Sequence, residues 1–262
     1  MPGDLRACVY GMAVGDALGV PFEFRRRGTF ECSGMAGHGT HDQPAGTWSD
    51  DTSMALALCD SYRELGRVDV TDIRRRFEDW YEDGRYTVDG LFDIGNTTVR
   101  ALSSGRGMAG ERDNGNGGLM RCVPMAFMGR TDDDVRAACA VTHAHPTSTE
   151  ACVRMVCTAR ALAAGEDPRR AIRGASDIES MAESDVRSGG YVLDTETAAY
   201  WCLLTTDSYR DCVLKAVNLG DDTDTTAAVA GSIAGIVYGT EGIPPEWLGA
   251  LRGKDVIEAC LF

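Results

Sequence analysis

The sequence predicts an all-α protein, a multi-helix array packed orthogonally, and three observations predict it. Apolar residues recur at helical spacing through most of the 262-residue chain. Nowhere does a stretch alternate cleanly with β-branched enrichment, so no strand is expected. Asp, Ser or Thr stands ahead of run after run of helical pattern, where its side chain satisfies free backbone N–H groups. About ten or more helices in a chain of this length fit an orthogonal array better than a four-helix bundle.

The first helix is expected from Asp4 to Gly19, with Leu5, Cys8, Met12 and Ala13 on its apolar positions and Pro21 as its stop. Gly11, Gly15 and Gly19 recur along it every fourth residue. A helical glycine costs about 1 kcal/mol relative to alanine, so the stripe predicts that a second helix comes very close. Gly231, Gly235 and Gly239 repeat the pattern in the run from Ala227 to Gly239, and the two small-faced helices are expected at the centre, against each other. Between them, Gly28 to Gly46 reads as a long loop, followed by a helix from Met54 to Leu65. Ile73, Phe77 and Trp80 share a face of a helix from Thr71 to Tyr81. Asp132, Asp133 and Asp134 precede one from Val135 to Val141. A Thr147…Glu150 capping box opens Thr147 to Ala164, which closes at Gly165, and Asp167-Pro168 starts another. Asp194 is expected to cap Thr195 to Thr206, and Ser208 to cap Tyr209 to Leu219.

Composition bounds what such an array could do. With 44% hydrophobic and 25% charged residues the chain can bury a large core, and with no linker or repeat it is expected to be a single domain over 1–262. A net charge of −14 argues against nucleic acid or an anionic membrane as an electrostatic partner. Ten scattered cysteines, with no C-x-x-C, fit reduced core thiols, and no charged-then-apolar leader or long apolar run is present, so a cytoplasmic protein is expected.

Chemistry concentrates at two helix starts. Ser49-Asp50-Asp51-Thr52 precedes the pattern from Met54, and Gly220-Asp221-Asp222-Thr223-Asp224-Thr225 precedes the run from Ala227. Capping and the helix dipole explain one or two acids at each. They do not explain five. Carboxylates about 4 Å apart repel by about 4 kcal/mol per pair at an effective dielectric of about 20, so acids gathered in one pocket must protonate or hold a cation. Oxygen ligands favour Mg²⁺, Mn²⁺ or Ca²⁺ over zinc. Asp222-x-Asp224-x-Thr226 also matches a haloacid-dehalogenase phosphatase signature, but that motif must follow a buried strand, and here it follows a helix near the end of the chain. An EF-hand starting at Asp222 would need Gly and Glu where Ala227 and Ile233 stand.

Three further places carry polar groups. Glu23, in Val20-Pro21-Phe22-Glu23-Phe24, reads as a surface acid on a turn or as a ligand or acid/base group on a flap hinged by the following glycines. Asn114-Gly115-Asn116-Gly117-Gly118 reads as a plain turn or as a cradle of backbone N–H groups for a phosphate. His143 follows a helix, where C-capping is its simplest role.

Together these residues resemble the ADP-ribosylglycohydrolases, which include the dinitrogenase reductase-activating glycohydrolases and the ADP-ribosylhydrolases that remove mono-ADP-ribose. The resemblance covers almost the whole chain. It runs through Gly15-Asp16-Ala17-Leu18-Gly19 with Glu23, the Ser49 motif, Asp93-Ile94-Gly95-Asn96-Thr97, Gly115 to Arg121, Thr142-His143 and the Asp222 motif. It implies an all-α fold with a binuclear site, two Mg²⁺ or Mn²⁺ held by Ser49, Asp50, Asp51, Asp222, Asp224 and Thr225. Glu23 would be an added ligand or, with Asp50, a catalytic carboxylate. Asn114, Gly115, Asn116, Gly117 and Gly118 would hold diphosphate and ribose, His143 would contact the same side, and Asp93 would lie near the leaving group or cap a helix. Ser49 stands where Thr is common, and Asp221 where many relatives have Gly. The implied activity is hydrolysis of the ribosyl C1″ bond of a mono-ADP-ribosylated protein or small-molecule acceptor, with ADP-ribose as product. The alternatives are a catalytically silent ADP-ribose reader, an immunity-type protein that blocks a transferase, or a crystallin-like structural use of the fold.

Overall fold

The computed structural model describes residues 4–129 and 131–262, so residues 1–3 and 130 of the expected 1–262 domain lie outside it. Its elements are α1 (Leu5–Gly19), α2 (Asp50–Leu65), α3 (Val70–Asp83), α4 (Asn96–Ser104), α5 (Asp132–Ala140) and α6 (Pro146–Ala163). The short α7 (Pro168–Ala171) and α8 (Ala175–Glu179) follow. The chain then forms α9 (Val192–Leu204), α10 (Tyr209–Asn218), α11 (Thr223–Tyr238), α12 (Pro245–Ala250) and α13 (Lys254–Cys260). Short 3₁₀ turns link several of them, and among the described residues isolated bridges stand in place of any sheet. No helix among those residues is long and apolar enough to cross a membrane.

The central feature is the pairing of α1 with α11. A Cβ on Gly11 would lie 2.3 Å from the Gly231 carbonyl oxygen, one on Gly15 2.1 Å from that of Ala227, and one on Gly19 2.4 Å from Asp224 Cα. Only backbone fits there. The register runs antiparallel, because Gly235 meets Ala7 while Gly19 meets Asp224. The end of α1 therefore lies against the start of α11, and its last turn carries Asp16 to the same point. The buried Tyr209 hydroxyl of α10 reinforces the pair by donating to Gly11 O at 2.7 Å. Gly239, expected in the stripe, instead ends α11 as its C-cap at φ 71°.

Other boundaries differ for local reasons. The Thr147…Glu150 box does not form: α6 starts at Pro146, His145 is the N-cap, its Nδ1 accepts from Thr147 N at 3.1 Å, and Glu150 pairs with Arg136. Tyr191 rather than Asp194 precedes α9, leaving Asp194 in the first turn, where its charge favours the helix dipole. Asp132 to Asp134 form the first turn of α5, and a Thr131/Asp134 capping box closes its start. Helices α4, α12 and α13 were not expected from the sequence.

Candidate metal centre and active-site cleft

Two helix N-termini meet at the end of the α1–α11 contact. Ser49 is the N-cap of α2, with Asp50 and Asp51 in its first turn, and Asp222 is the N-cap of α11, with Asp224 and Thr225 in its first turn. Asp16, fully buried on α1, joins them: its Oδ1 accepts from Ser49 N at 2.9 Å, and its Oδ2 accepts from Thr52 N at 3.1 Å and Thr52 Oγ1 at 2.6 Å. An acid of one helix thus caps the start of another. Ser49 Oγ and Thr225 Oγ1 both donate to Asp51 Oδ2, at 3.1 and 3.3 Å.

Carboxylate oxygens of Asp16, Asp51 and Asp224 lie within 4.8 Å of one another, as do those of Glu23, Asp222 and Asp224. A third set within the same distance joins Glu23 and Asp93 to a nitrogen of His41. Asp50 stands outside these sets, on the wall of an adjoining cleft of about 330 Å³. The electrostatics follow from the crowding. Burial first, and then the neighbouring carboxylates, raise Asp50, Asp51 and Asp224 well above the usual carboxylate range. Burial pushes Asp16 up to about 6 and Glu23 up to about 7, against hydrogen bonds that pull each down. Asp222 and Asp93 are raised too, chiefly by burial.

Capping does not account for all of these oxygens. Asp51 Oδ1 and Asp224 Oδ2 are buried with no hydrogen-bond partner among the described residues. A buried, unpaired carboxylate oxygen is costly unless a cation meets it. The donors here are carboxylate and hydroxyl oxygens, which suits a hard divalent ion. The residues present therefore fit the group that the acidic motifs imply.

The cleft beside this cluster is lined by Glu23, Asp50, Asp93, Gly115, Asn116, Gly117, His143, Asp222 and Thr225, with Phe24 and the start of α4 at its rim. Asn114 and Gly118 are not on its wall. Asn114 Nδ2 donates to Glu111 O and its carbonyl accepts from Val192 N, each at 3.0 Å, while a Cβ on Gly118 would meet Cys139 Sγ at 2.5 Å. Asn116 donates through Nδ2 to Asp222 Oδ2 at 2.8 Å and to Thr195 Oγ1 at 3.0 Å, so its amide orients an acid of the cluster. Asp93 sits on the cleft wall at φ 47° and caps nothing, since the N-cap of α4 is Gly95. Asp221 is exposed at φ 59°, a left-handed position that explains why glycine suits it, and it stands outside the three acidic sets.

His143 is buried, and burial followed by the nearby Arg121 lowers it to about 3, so it is neutral. Arg121, itself buried, donates to Thr142 Oγ1 at 2.8 Å and to the Gly117 carbonyl. The Thr142 hydroxyl, 2.8 Å from His143 Nδ1, is then free to donate to it, which places the imidazole proton on Nε2, the nitrogen near Gly115 and Gly117. His143 thus presents a fixed N–H donor to the cleft.

Three residues of the site carry no role in the sequence reading: Asp16, Arg121 and His41. Asp16 had a signal, an acid beside the glycine stripe of a helix that must be buried. Arg121 lay within a matched motif. His41 had none, being one polar residue in a glycine-rich loop.

Comparisons with known proteins agree with this geometry. The family model described as ADP-ribosylglycohydrolase matches residues 4–261. An ADP-ribosylarginine hydrolase of Serratia proteamaculans is 35% identical, over 96% of this chain and 76% of its own. The ADP-ribosyl-[dinitrogen reductase] glycohydrolase of Rhodospirillum rubrum is 34% identical, over 93% of this chain and 88% of its own. A solved chain of an "ADP-ribosylglycohydrolase-related protein complex" superposes with a TM-score of 0.84 at 32% identity, covering 98% of this chain and 95% of that one. A chain with this match along its length, and with acids from three helices gathered at one point, belongs to the ADP-ribosylglycohydrolase family.

Proposed function

We propose that the protein hydrolyses the C1″ bond between ADP-ribose and an arginine side chain of a modified protein, with divalent metal held by the acidic cluster. The observation that carries the arginine assignment is the cleft wall. Glu23, Asp50, Asp93 and Asp222 line it, and among the described residues no Lys or Arg does. Such a wall favours a cationic guanidinium as the leaving group, while the diphosphate needs positive charge brought by metal. The similarity to an ADP-ribosylarginine hydrolase supports the same choice.

The metal ligands in this reading are Asp51, Asp222 and Asp224 with the hydroxyls of Ser49 and Thr225, Asp50 at the cleft edge and Asp16 beneath. Mg²⁺ or Mn²⁺, when bound, supplies positive charge for the sugar hydroxyls and lowers the pKa of water. The chain's own residues do the rest. The His143 Nε2–H and the open backbone at Gly115 and Gly117 orient the ribose and diphosphate. Glu23, raised to about 7, can take a proton from the attacking water near neutral pH, with Asp50 as the second carboxylate on that wall. Water adds at C1″ as the C1″–N bond breaks through an oxocarbenium-like transition state with its electron pair going to nitrogen, and the proton that Glu23 took from the water passes to the departing guanidine, which leaves as guanidinium past Asp93. Ten free cysteines, nine of them buried, support a reducing compartment such as the cytoplasm.

The test is a panel of ADP-ribosyl-arginine, ADP-ribosyl-serine and O-acetyl-ADP-ribose, each incubated with Mg²⁺, Mn²⁺ or excess EDTA. Release of ADP-ribose from the arginine conjugate, abolished by EDTA, is expected. Release from the serine conjugate alone would overturn the arginine assignment, and full turnover in EDTA would overturn the metal reading.

A further inference from the structure

We propose that His41 is a positioning residue for Glu23, holding its carboxylate over the acidic cluster; the proposal rests on the reading of Glu23 as the proton carrier. The sequence suggests that the glycines after Glu23 make a mobile flap, but the structure ties that loop down. Three consecutive residues hold two others, Pro21 and Glu23. A Cβ on Gly39 would lie 2.0 Å from Pro21 O, Thr40 Oγ1 donates to Glu23 O at 2.7 Å, and His41 Nε2 pairs directly with Glu23 Oε2. His41 is held in turn from its own loop, where Gln43 Nε2 donates to His41 O at 3.1 Å and His38 N to Gln43 O at 2.5 Å. On the far side, Phe24 N donates to Asp221 O at 2.6 Å and Asp221 N to Arg25 O at 2.8 Å, which fixes the backbone after Glu23 to the approach of α11.

Glu23 needs such a hold because its neighbours repel it. Its carboxylate is one of the set with Asp222 and Asp224, and also of the set with His41 and Asp93. Among the described residues its side chain has one hydrogen-bond partner, His41. Without that partner a carboxylate beside two others would swing away from them, out of reach of the water it must deprotonate. The imidazole ring also packs between Phe24 and Phe92, at centroid distances of 6.1 and 5.3 Å. A purely structural role would therefore be to fill that gap, and the two roles separate by substitution.

His41→Phe keeps the ring and removes the hydrogen bond, whereas His41→Gln keeps an N–H donor and removes the ring. With Mg²⁺ present, His41→Phe should lower kcat by about tenfold or more while the Kd for ADP-ribose, measured by calorimetry, stays within about twofold. His41→Gln should recover most of that loss. In a Glu23→Gln background, adding His41→Phe should cost nothing further, since with no carboxylate left to carry the proton its placement no longer matters. Full activity in His41→Phe, or losses that multiply in the double variant, would overturn the proposal. A second readout does not depend on turnover. In a ¹H–¹⁵N imidazole spectrum at fixed pH, Glu23→Gln should move the His41 Nε2 resonance and leave that of His143 in place. An unmoved His41 resonance would overturn the contact itself, whereas an inactive wild type with a moved resonance would overturn only the hydrolase reading.

Discussion

Two groups of acids in this protein, one around a buried arginine and one with no arginine, have opposite solutions to crowding. Between α2 and α3, Asp60 and Asp72 meet the buried Arg76, which pairs with both and with Glu64, while Arg63 and Arg85 reach Asp60 from outside. Burial pushes Asp60 up, but hydrogen bonds from Arg63 and Tyr86 and the charge of Arg76 bring it below the ordinary carboxylate value. Asp72 falls to about 2 because hydrogen bonds from Arg76 and Arg75 outweigh its burial. At the start of α11 deeper burial acts on acids that no guanidinium among the described residues pairs with, and Asp51, Asp222 and Asp224 are all pushed up. The chain places arginine where it needs acids for structure and leaves it out where the charge must be met by something else.

Breaking the paired group should have the largest effect. Arg76→Met removes the one buried cation of the group and leaves Asp60 only Tyr86 and the outer arginines Arg63 and Arg85, and is expected to lower the stability measured in urea by about 3 kcal/mol, with no recovery on adding Mg²⁺. Asp224→Asn should do the converse. Turnover is expected to fall at least about a hundredfold, about 2.7 kcal/mol of barrier, because the amide cannot hold a divalent ion as a carboxylate does. If Asp224 were only a helix residue, Asn would serve nearly as well. The metal-free variant should melt no lower than metal-free wild type, since one repulsive charge has gone.

Gly15→Ala probes what assembles the unpaired group. Its Cβ would meet the Ala227 carbonyl oxygen at 2.1 Å, so α1 must shift from α11. A loss of about 1–3 kcal/mol is expected in denaturant, together with weaker Mg²⁺ protection against heat, while the ion pairs of Arg76 stay intact.

The smallest effect is the sharpest in sign. Asp16 and Glu23 titrate at about 6 and about 7 in the folded protein, above their ordinary values. The folded state therefore holds their protons more tightly, and that stability is present below the ordinary pKa values and lost as pH rises through the raised ones. Metal-free protein should accordingly lose Tm from about pH 5 to about pH 8 in differential scanning calorimetry, with Mg²⁺ flattening the slope. Asp72 has the opposite sign: its contribution is present above its ordinary value and is lost only as pH falls toward about 2. A metal-free Tm that rises across neutral pH would contradict the assignment.

How much of this was legible depends on whether a signal was local. The α1–α11 pair could be read because glycine at every fourth position weakens a helix unless a second backbone packs into the groove it leaves. The acids of α2 and α11 stood out because capping needs fewer of them. Helix α4 hid because it opens on Asn96, Thr97, Thr98 and Val99, poor helix formers, behind a Gly95 with no capping side chain. Short α12 carries Gly249 within it and α13 starts only after Gly253, so neither is long enough for a full apolar repeat. The start of α6 went to His145 because Pro146 already suits a first helical position, a competition a capping-box pattern does not weigh. His41 and Arg121 work through contacts with residues far along the chain or across a loop. Nothing in the neighbourhood of His41 marks it, and the motif that holds Arg121 does not show that its partner is Thr142.

The central claim is that the unpaired acids form a cation site, and Mn²⁺ binding followed by electron paramagnetic resonance at neutral pH tests it most directly. Wild type should take up Mn²⁺, Mg²⁺ should compete for it, and Asp224→Asn should bind at least about tenfold more weakly while retaining its helical circular dichroism. Wild type that leaves Mn²⁺ free, or Asp224→Asn that binds it as tightly as wild type, would contradict the account.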